Sequence, residues 1–237
     1  ARIPSFDIIV HLAAKSFVPH SFERPYDFYH HNFVSTLNML EKAREFNAKV
    51  IFFSSYLYGQ PDYLPIDENH PIKPHNPYAQ TKLIGEKLCE GFHRDFNVPV
   101  FIFRPFNIYG EGQNDSFLIP MIIGQKKTGV ISLKDPRPKR DFIHISDVVS
   151  AVLLAIEHDN NQLEVFNLGF GKSHSIAQII EIIKQFSNIP FQVNFSNETR
   201  QNEVLDTIAD TSKLFNSFNW RPKVGLSEGI RGLLTQI

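Results

Sequence analysis

The chain has 237 residues, enough to bury one large core or two smaller ones, and its charges nearly cancel: 24 Lys and Arg against 25 Asp and Glu. That balance leaves no basic footprint for nucleic acid, and no apolar run reaches the roughly 18 residues of a membrane span. The single cysteine, Cys89, excludes an internal disulfide framework and fits a reducing cytoplasm.

The first element is Asp7-Ile8-Ile9-Val10-His11-Leu12-Ala13-Ala14. Its β-branched centre predicts a fully buried parallel strand, and the small residues at its end let another group approach the backbone. A helix is predicted over 26–46, with Leu37, Leu40 and Ala43 on its apolar stripe. Asn32 near its start is either a structural bridge or a ligand contact. The next strand, Val50-Ile51-Phe52-Phe53, ends in Ser54-Ser55-Tyr56-Leu57-Tyr58-Gly59. Hydroxyls at the carboxyl end of a parallel strand face the crevice where open α/β sheets bind ligands, with ordinary turn serines as the plain alternative. Residues 60–75, rich in proline, read as loop.

The stretch Asn76-Pro77-Tyr78-Ala79-Gln80-Thr81-Lys82 then opens a helix running to about residue 96. Spacing of i and i+4 places Tyr78 and Lys82 on one face. An ammonium beside a phenol favours the phenolate, which predicts a Tyr78 pKa lowered from about 10. A phenolate next to a substrate hydroxyl is a general base, and the phenol in reverse a general acid. Alone, Tyr-x-x-x-Lys also arises on many helices by chance.

A third strand, 98–103, ends in Arg104-Pro105-Phe106-Asn107-Ile108-Tyr109-Gly110, completing an alternation of the βαβ kind. Beyond it the pattern predicts a short helix over 117–126, an extended segment over 129–133 and a basic loop over 135–139. A helix is predicted over 148–157, with His144 at a strand end and Asp147 as its N-cap. A strand over 165–168 follows, then a helix over 175–186 with Ile176, Ile179, Ile180 and Ile183 at core spacing. Residues 191–195 and 207–209 read as extended, and a last helix starts at Leu226.

Six stretches in this order, DIIVHLAA, FFSSYLYG, NPYAQTK, RPFNIYG, RDFIHISD and ADTSKLFNSFNWRP, resemble the extended short-chain dehydrogenase/reductase family, in its sugar-nucleotide epimerase/dehydratase branch. The resemblance covers nearly the whole chain. It implies a doubly wound, parallel Rossmann-type α/β domain over 1–112, with 141–168 returning to it. A smaller C-terminal α/β substrate domain would take 113–140 and 169–237. Tyr78 is implied as the catalytic acid/base, Lys82 as its electrostatic partner and ribose ligand, and Ser54, with Ser55 as fallback, as the hydroxyl bonding the reacting oxygen. Ala13, Ala14 and Lys15 are implied to pack the cofactor, and Asn32 and Phe106 to flank it. Ser55, Tyr56 and Asn107 are implied to face the sugar and its diphosphate, Arg140 and Arg200 to bind phosphate, and Glu203 to bind a ribose. The implied cofactor is NAD, with NADP as the alternative; the implied substrate is a nucleoside diphosphate sugar. A homodimer is implied, built by pairing the helices 32–46 and 78–96 into a four-helix bundle. No metal, membrane or nucleic acid is expected.

Two departures refine this. The family's Gly-rich turn, which holds the cofactor pyrophosphate at a helix N-terminus, has no match. The chain therefore reads as the C-terminal part of a longer enzyme, lacking the first βαβαβ half, or else as a truncated, non-catalytic binding protein. Where dehydratases carry Thr-Asp-Glu, this chain has Ser54-Ser55-Tyr56. Epimerisation at sugar C4 is therefore expected, with reduction of a 4-keto sugar as runner-up.

Overall fold

The computed structural model describes residues 5–159, 161–199 and 203–235. In chain order the elements are β1 (Ile8–His11), α1 (Val18–Glu23), α2 (Pro25–Phe46), β2 (Lys49–Phe53), α3 (Pro77–Phe96), β3 (Val100–Pro105), β4 (Asn107–Tyr109), α4 (Leu118–Lys126) and β5 (Val130–Leu133). They continue as β6 (Lys139–His144), α5 (Ile145–Glu157), β7 (Leu163–Leu168), β8 (Ser173–Ser175), α6 (Ile176–Phe186), β9 (Gln192–Phe195), α7 (Ser212–Phe218) and α8 (Leu226–Thr235). The chain divides into two compact units.

The first unit takes Ala1–Gly59, Glu68–Pro105 and Ser150–Leu168. Its sheet has the order β1-β2-β3-β7, and every pair is parallel. The apolar runs of β2 and β3 are buried almost throughout, as strands covered on both faces must be. Val50, Phe52, Val100 and Ile102 pack with Leu40 and Ala43 of α2 and Cys89 of α3. Phe101 and Phe103 lie against the ring of Phe166. Both long helices stop at asparagines in the left-handed conformation, Asn47 and Asn97. The Lys49 ammonium donates to the carbonyls of Ala155, Ile156 and His158, answering the negative end of α5. The extra helix α1, ahead of Pro25, is not foreshadowed by any apolar period.

The second unit takes Gln60–Asp67, Phe106–Val149 and Gly169–Ile237. It holds a three-stranded sheet, β4-β6-β8, with β4 parallel and β8 antiparallel to β6, and a parallel pair, β5-β9. Ile119, Ile122, Ile131, Ile179, Ile183 and Ile230 form the centre of its core. Helix α6 starts with a capping box between Ser175 and Gln178. Residues 139–144 are a strand, and α5 begins three residues before the predicted 148. Asp147 therefore sits inside the first turn of α5. Its carboxylate accepts from the backbone N–H of Lys223 and Val224, so it anchors the segment leading to α8 rather than serving as the predicted N-cap. Among the described residues no helix is long and apolar enough to cross a membrane, and no cluster of His, Cys, Asp or Glu is arranged to hold a metal.

Candidate active site

In the first unit the candidate residues gather where β2 ends and α3 begins. The Ser54 N–H donates to Phe103 O (2.8 Å), continuing the ladder one residue past β2. Its hydroxyl is buried and has no partner among the described residues. A buried, unpaired hydroxyl costs about 1–3 kcal/mol. Ser55 hydrogen-bonds the side chain of Tyr78. Asn76 caps α3 by accepting from the Ala79 N–H, and Pro77 occupies the first helical turn, so the helix start that carries Tyr78 is locally fixed.

The phenol does not behave as the spacing predicts. Burial pushes the Tyr78 pKa up, and the hydrogen bond from Ser55 pulls it partly back. The Lys82 ammonium turns to Phe53 O (2.7 Å) and lies 5.1 Å from the centre of the Phe52 ring. Burial lowers its own pKa to about 8. Gly85, one turn on, is required by that ring: a Cβ there would stand 2.5 Å from Phe52 Cζ.

Asn32 acts as a bridge. Its Oδ1 accepts from Lys15 N (2.8 Å), and its Nδ2 donates to Lys15 O (3.1 Å) and to Thr81 Oγ1 (2.8 Å). This pins the loop after β1, where Ala13 is exposed and Ala14 half-buried. The Lys15 side chain pairs with Asp27 at 3.6 Å. The Tyr56 hydroxyl donates to Gly59 O (2.6 Å), and its ring stands edge-on to Tyr58.

Sequence reasoning missed the buried ion pair behind this region. Arg104 donates two parallel bonds to Glu86 (2.9 and 2.7 Å) and a third to the Tyr58 hydroxyl (3.2 Å), which donates to Asn167 (2.6 Å). The signal was present: a charged residue closing the apolar run of β3, and a glutamate in the middle of α3.

In the second unit Arg140 and Glu203, each assigned separately to substrate, pair with each other. Arg140 also donates to Val204 O (2.6 Å) and Lys139 O (2.8 Å). Arg200 lies outside the described residues. Asn107 donates to Asp141 O (3.1 Å), and Phe106 is buried. Asp141 has no exposed surface; its carboxylate accepts from the N–H groups of Phe170 (2.7 Å), Gly171 (2.8 Å) and Ala209 (3.0 Å). Burial pushes it up to about 6 against those hydrogen bonds. His144, read as structural, accepts from Ser146 at Nδ1.

A parallel sheet backed by helices, with hydroxyls at its carboxyl ends and a Tyr/Lys helix beside it, defines a Rossmann-like α/β protein. The model of the NAD dependent epimerase/dehydratase family matches residues 2–169. The chain is 32% identical over 241 residues to a UDP-glucose 4-epimerase of Halalkalibacterium halodurans, across 92% of this chain and 72% of that one. It is 31% identical over 242 residues to a GDP-6-deoxy-D-mannose reductase of Pseudomonas aeruginosa, across 97% and 79%. The structure of a UDP-glucuronic acid 4-epimerase from Bacillus cereus, in complex with UDP-glucuronic acid and NAD, matches with a TM-score of 0.88 at 28% identity, across 97% of this chain and 76% of that one. The chain belongs to the NAD-dependent epimerase/dehydratase family.

Proposed function

We propose that this chain carries the acid/base centre and the substrate-gripping unit of an NAD-dependent nucleotide-sugar 4-epimerase. The observation that carries this reading is the buried, unpartnered hydroxyl of Ser54, next in sequence to the Ser55 that hydrogen-bonds Tyr78, with Lys82 one turn along the same helix. Tyr78 takes the proton of the sugar C4 hydroxyl and returns it after the carbon has inverted. Ser54 donates to the reacting oxygen as charge develops on it. Lys82, its ammonium turned to Phe53 O, holds a positive charge one turn along the helix and is read as the ligand of the cofactor ribose, while Ser55 is the group that eases Tyr78 ionisation against its burial.

The same residues fit a nicotinamide dinucleotide: a buried ammonium at Lys82, an unpaired hydroxyl at Ser54 and a loop at Ala13-Ala14-Lys15 locked by Asn32. Phe106 would flank it. When bound there, it would supply the hydride acceptor and donor for C4. NAD is the reading for an epimerase, and NADP for a reductase. In the second unit Arg140, held by Glu203 and Val204 O, and Asn107 are read as ligands of the sugar diphosphate and Glu203 as a ribose contact, with Arg200 assigned to the diphosphate from the sequence alone; in the first unit Ser55 and Tyr56 are read as contacts of the sugar. The substrate is thus a nucleoside diphosphate sugar.

The pyrophosphate-holding turn lies, in this reading, in a preceding βαβαβ half that pairs with the outer edge of β1. That strand is apolar yet only half-buried, and it has β2 as its partner. The first unit is then the cofactor domain and the second the substrate domain. Exposed Tyr26, Tyr29 and Phe33 on α2 support a homodimer through α2 and α3, and the single cysteine supports a reducing, cytoplasmic setting.

The likeness to a GDP-6-deoxy-D-mannose reductase sustains a second reading, NDP-4-keto-sugar reduction. Incubating the full-length protein with UDP-glucose and NAD separates them. The first reading expects UDP-galactose without net cofactor consumption. Stoichiometric NADPH use on a 4-keto sugar nucleotide would favour the second. Binding without turnover on either substrate would overturn both.

A further inference from the structure

Four buried side chains form a hydrogen-bonded chain that ends on the backbone of Tyr78. The Thr36 hydroxyl donates its one proton to Asn32 O (2.7 Å). His11 Nε2, 3.1 Å from Thr36 Oγ1, must therefore be the donor in their contact, which fixes the tautomer. Asn32 Nδ2 donates to Thr81 Oγ1 (2.8 Å), and the Thr81 hydroxyl donates to Tyr78 O (2.7 Å). His11, Asn32 and Thr36 are each 3% exposed and Thr81 2%, so breaking a link leaves a polar group without water. The bonds run in one sense in each half, from His11 through the Thr36 hydroxyl to the Asn32 carbonyl and from the Asn32 amide through the Thr81 hydroxyl to the Tyr78 carbonyl, and at each hydroxyl the accepted and donated bonds reinforce one another.

The chain joins three elements through one residue. Asn32 on α2 holds the backbone of Lys15 after β1 and, through Thr81, the first turn of α3. Thr81 reaches back three residues to a carbonyl that its helix already uses, a contact that bends a helix locally. We infer that Thr81 is a positioning residue: by bridging the Asn32 amide and the Tyr78 carbonyl, it sets where the phenol stands. A threonine there is otherwise unremarkable on a helix, and its buried hydroxyl does nothing for packing that a methyl would not do. The inference rests on the reading of Tyr78 as the acid/base.

The test is a series at Thr81 in the full-length protein, with Tyr78→Phe measured alongside. Thr81→Val removes both links and keeps the volume. A displaced reacting group costs up to about 100-fold, so kcat falls about 10- to 100-fold while KM for UDP-glucose stays within about threefold. Thr81→Ser, which keeps the hydroxyl, restores kcat to within about threefold of the parent. A second readout needs no turnover. Difference absorbance against Tyr78→Phe follows the Tyr78 phenol, and its titration moves to higher pH in Thr81→Val, where alignment with Ser55 is lost, and returns in Thr81→Ser. If Thr81→Val does not fold, Thr81→Ala, which also lacks the hydroxyl, is read in its place. Parent kcat and an unmoved phenol in the hydroxyl-free variant, with Tyr78→Phe inactive, overturn the positioning role alone. An active Tyr78→Phe overturns the reading beneath it.

Discussion

In the first unit two buried polar networks stand out, one from His11 to Tyr78 and one, built on an ion pair, from Glu86 to Asn167. The second unit is gathered instead around one carboxylate, Asp141, on which the backbones of residues 170, 171 and 209 converge. A second buried carboxylate there, Asp147, holds the backbones of residues 223 and 224, while the ion pairs Arg140–Glu203 and Lys134–Glu198 are partly buried and exposed. The difference fits the work proposed for each. A group that moves protons needs neighbours that hold it in place, whereas an anionic substrate needs oriented cations.

The largest effect should come from breaking the ion pair of the first unit. Glu86→Gln leaves the Arg104 guanidinium buried without its counter-charge, which costs about 3–5 kcal/mol. Denaturant unfolding should show this as a lower midpoint at unchanged slope. A loss under about 1 kcal/mol would mean that water reaches Arg104, and the picture of a sealed first unit would fail.

The next effect separates the units by sign. Burial, with Lys82 adding to it, lowers His11 to about 4, against 6.5 for the free group. Its contribution is full above pH 6.5 and is lost as pH falls toward 4, on the order of 2–3 kcal/mol. Asp141, raised to about 6 from 3.8, works the other way. Its contribution is full below pH 3.8 and is lost as pH rises through 6, again on the order of 2–3 kcal/mol. Between pH 6.5 and 4.5, His11→Asn should therefore lose less stability than the parent, and Asp141→Asn more. Two variants that track the parent across that window would remove the contrast.

Much of the first unit was legible in the sequence because its signals are local. The runs that became β2 and β3 are apolar on both faces, and Asn76-Pro77 announces the start of α3. The second unit was harder. β8 is Ser-His-Ser, which has no strand character of its own and is ordered by pairing with β6. The candidate site divides along the same line. Tyr78, Lys82 and the two serines carry a recognisable spacing. Asn32 and Thr81 are 49 residues apart, Arg140 and Glu203 63, and no local pattern announces such partners. The expected Lys82-driven fall of the Tyr78 pKa failed for a related reason: spacing places two side chains on one face but does not say which carbonyl the ammonium turns to.

The central claim is that Tyr78 moves the proton at sugar C4. The direct measurement is the turnover of UDP-glucose by full-length Tyr78→Phe at saturating substrate, with UDP-glucose affinity measured on the same protein. General acid–base catalysis is worth about 10²- to 10⁴-fold, so kcat should fall by that order while the dissociation constant stays within about threefold. Turnover near the parent rate, or a loss of affinity large enough to account for the lost turnover, would contradict the account.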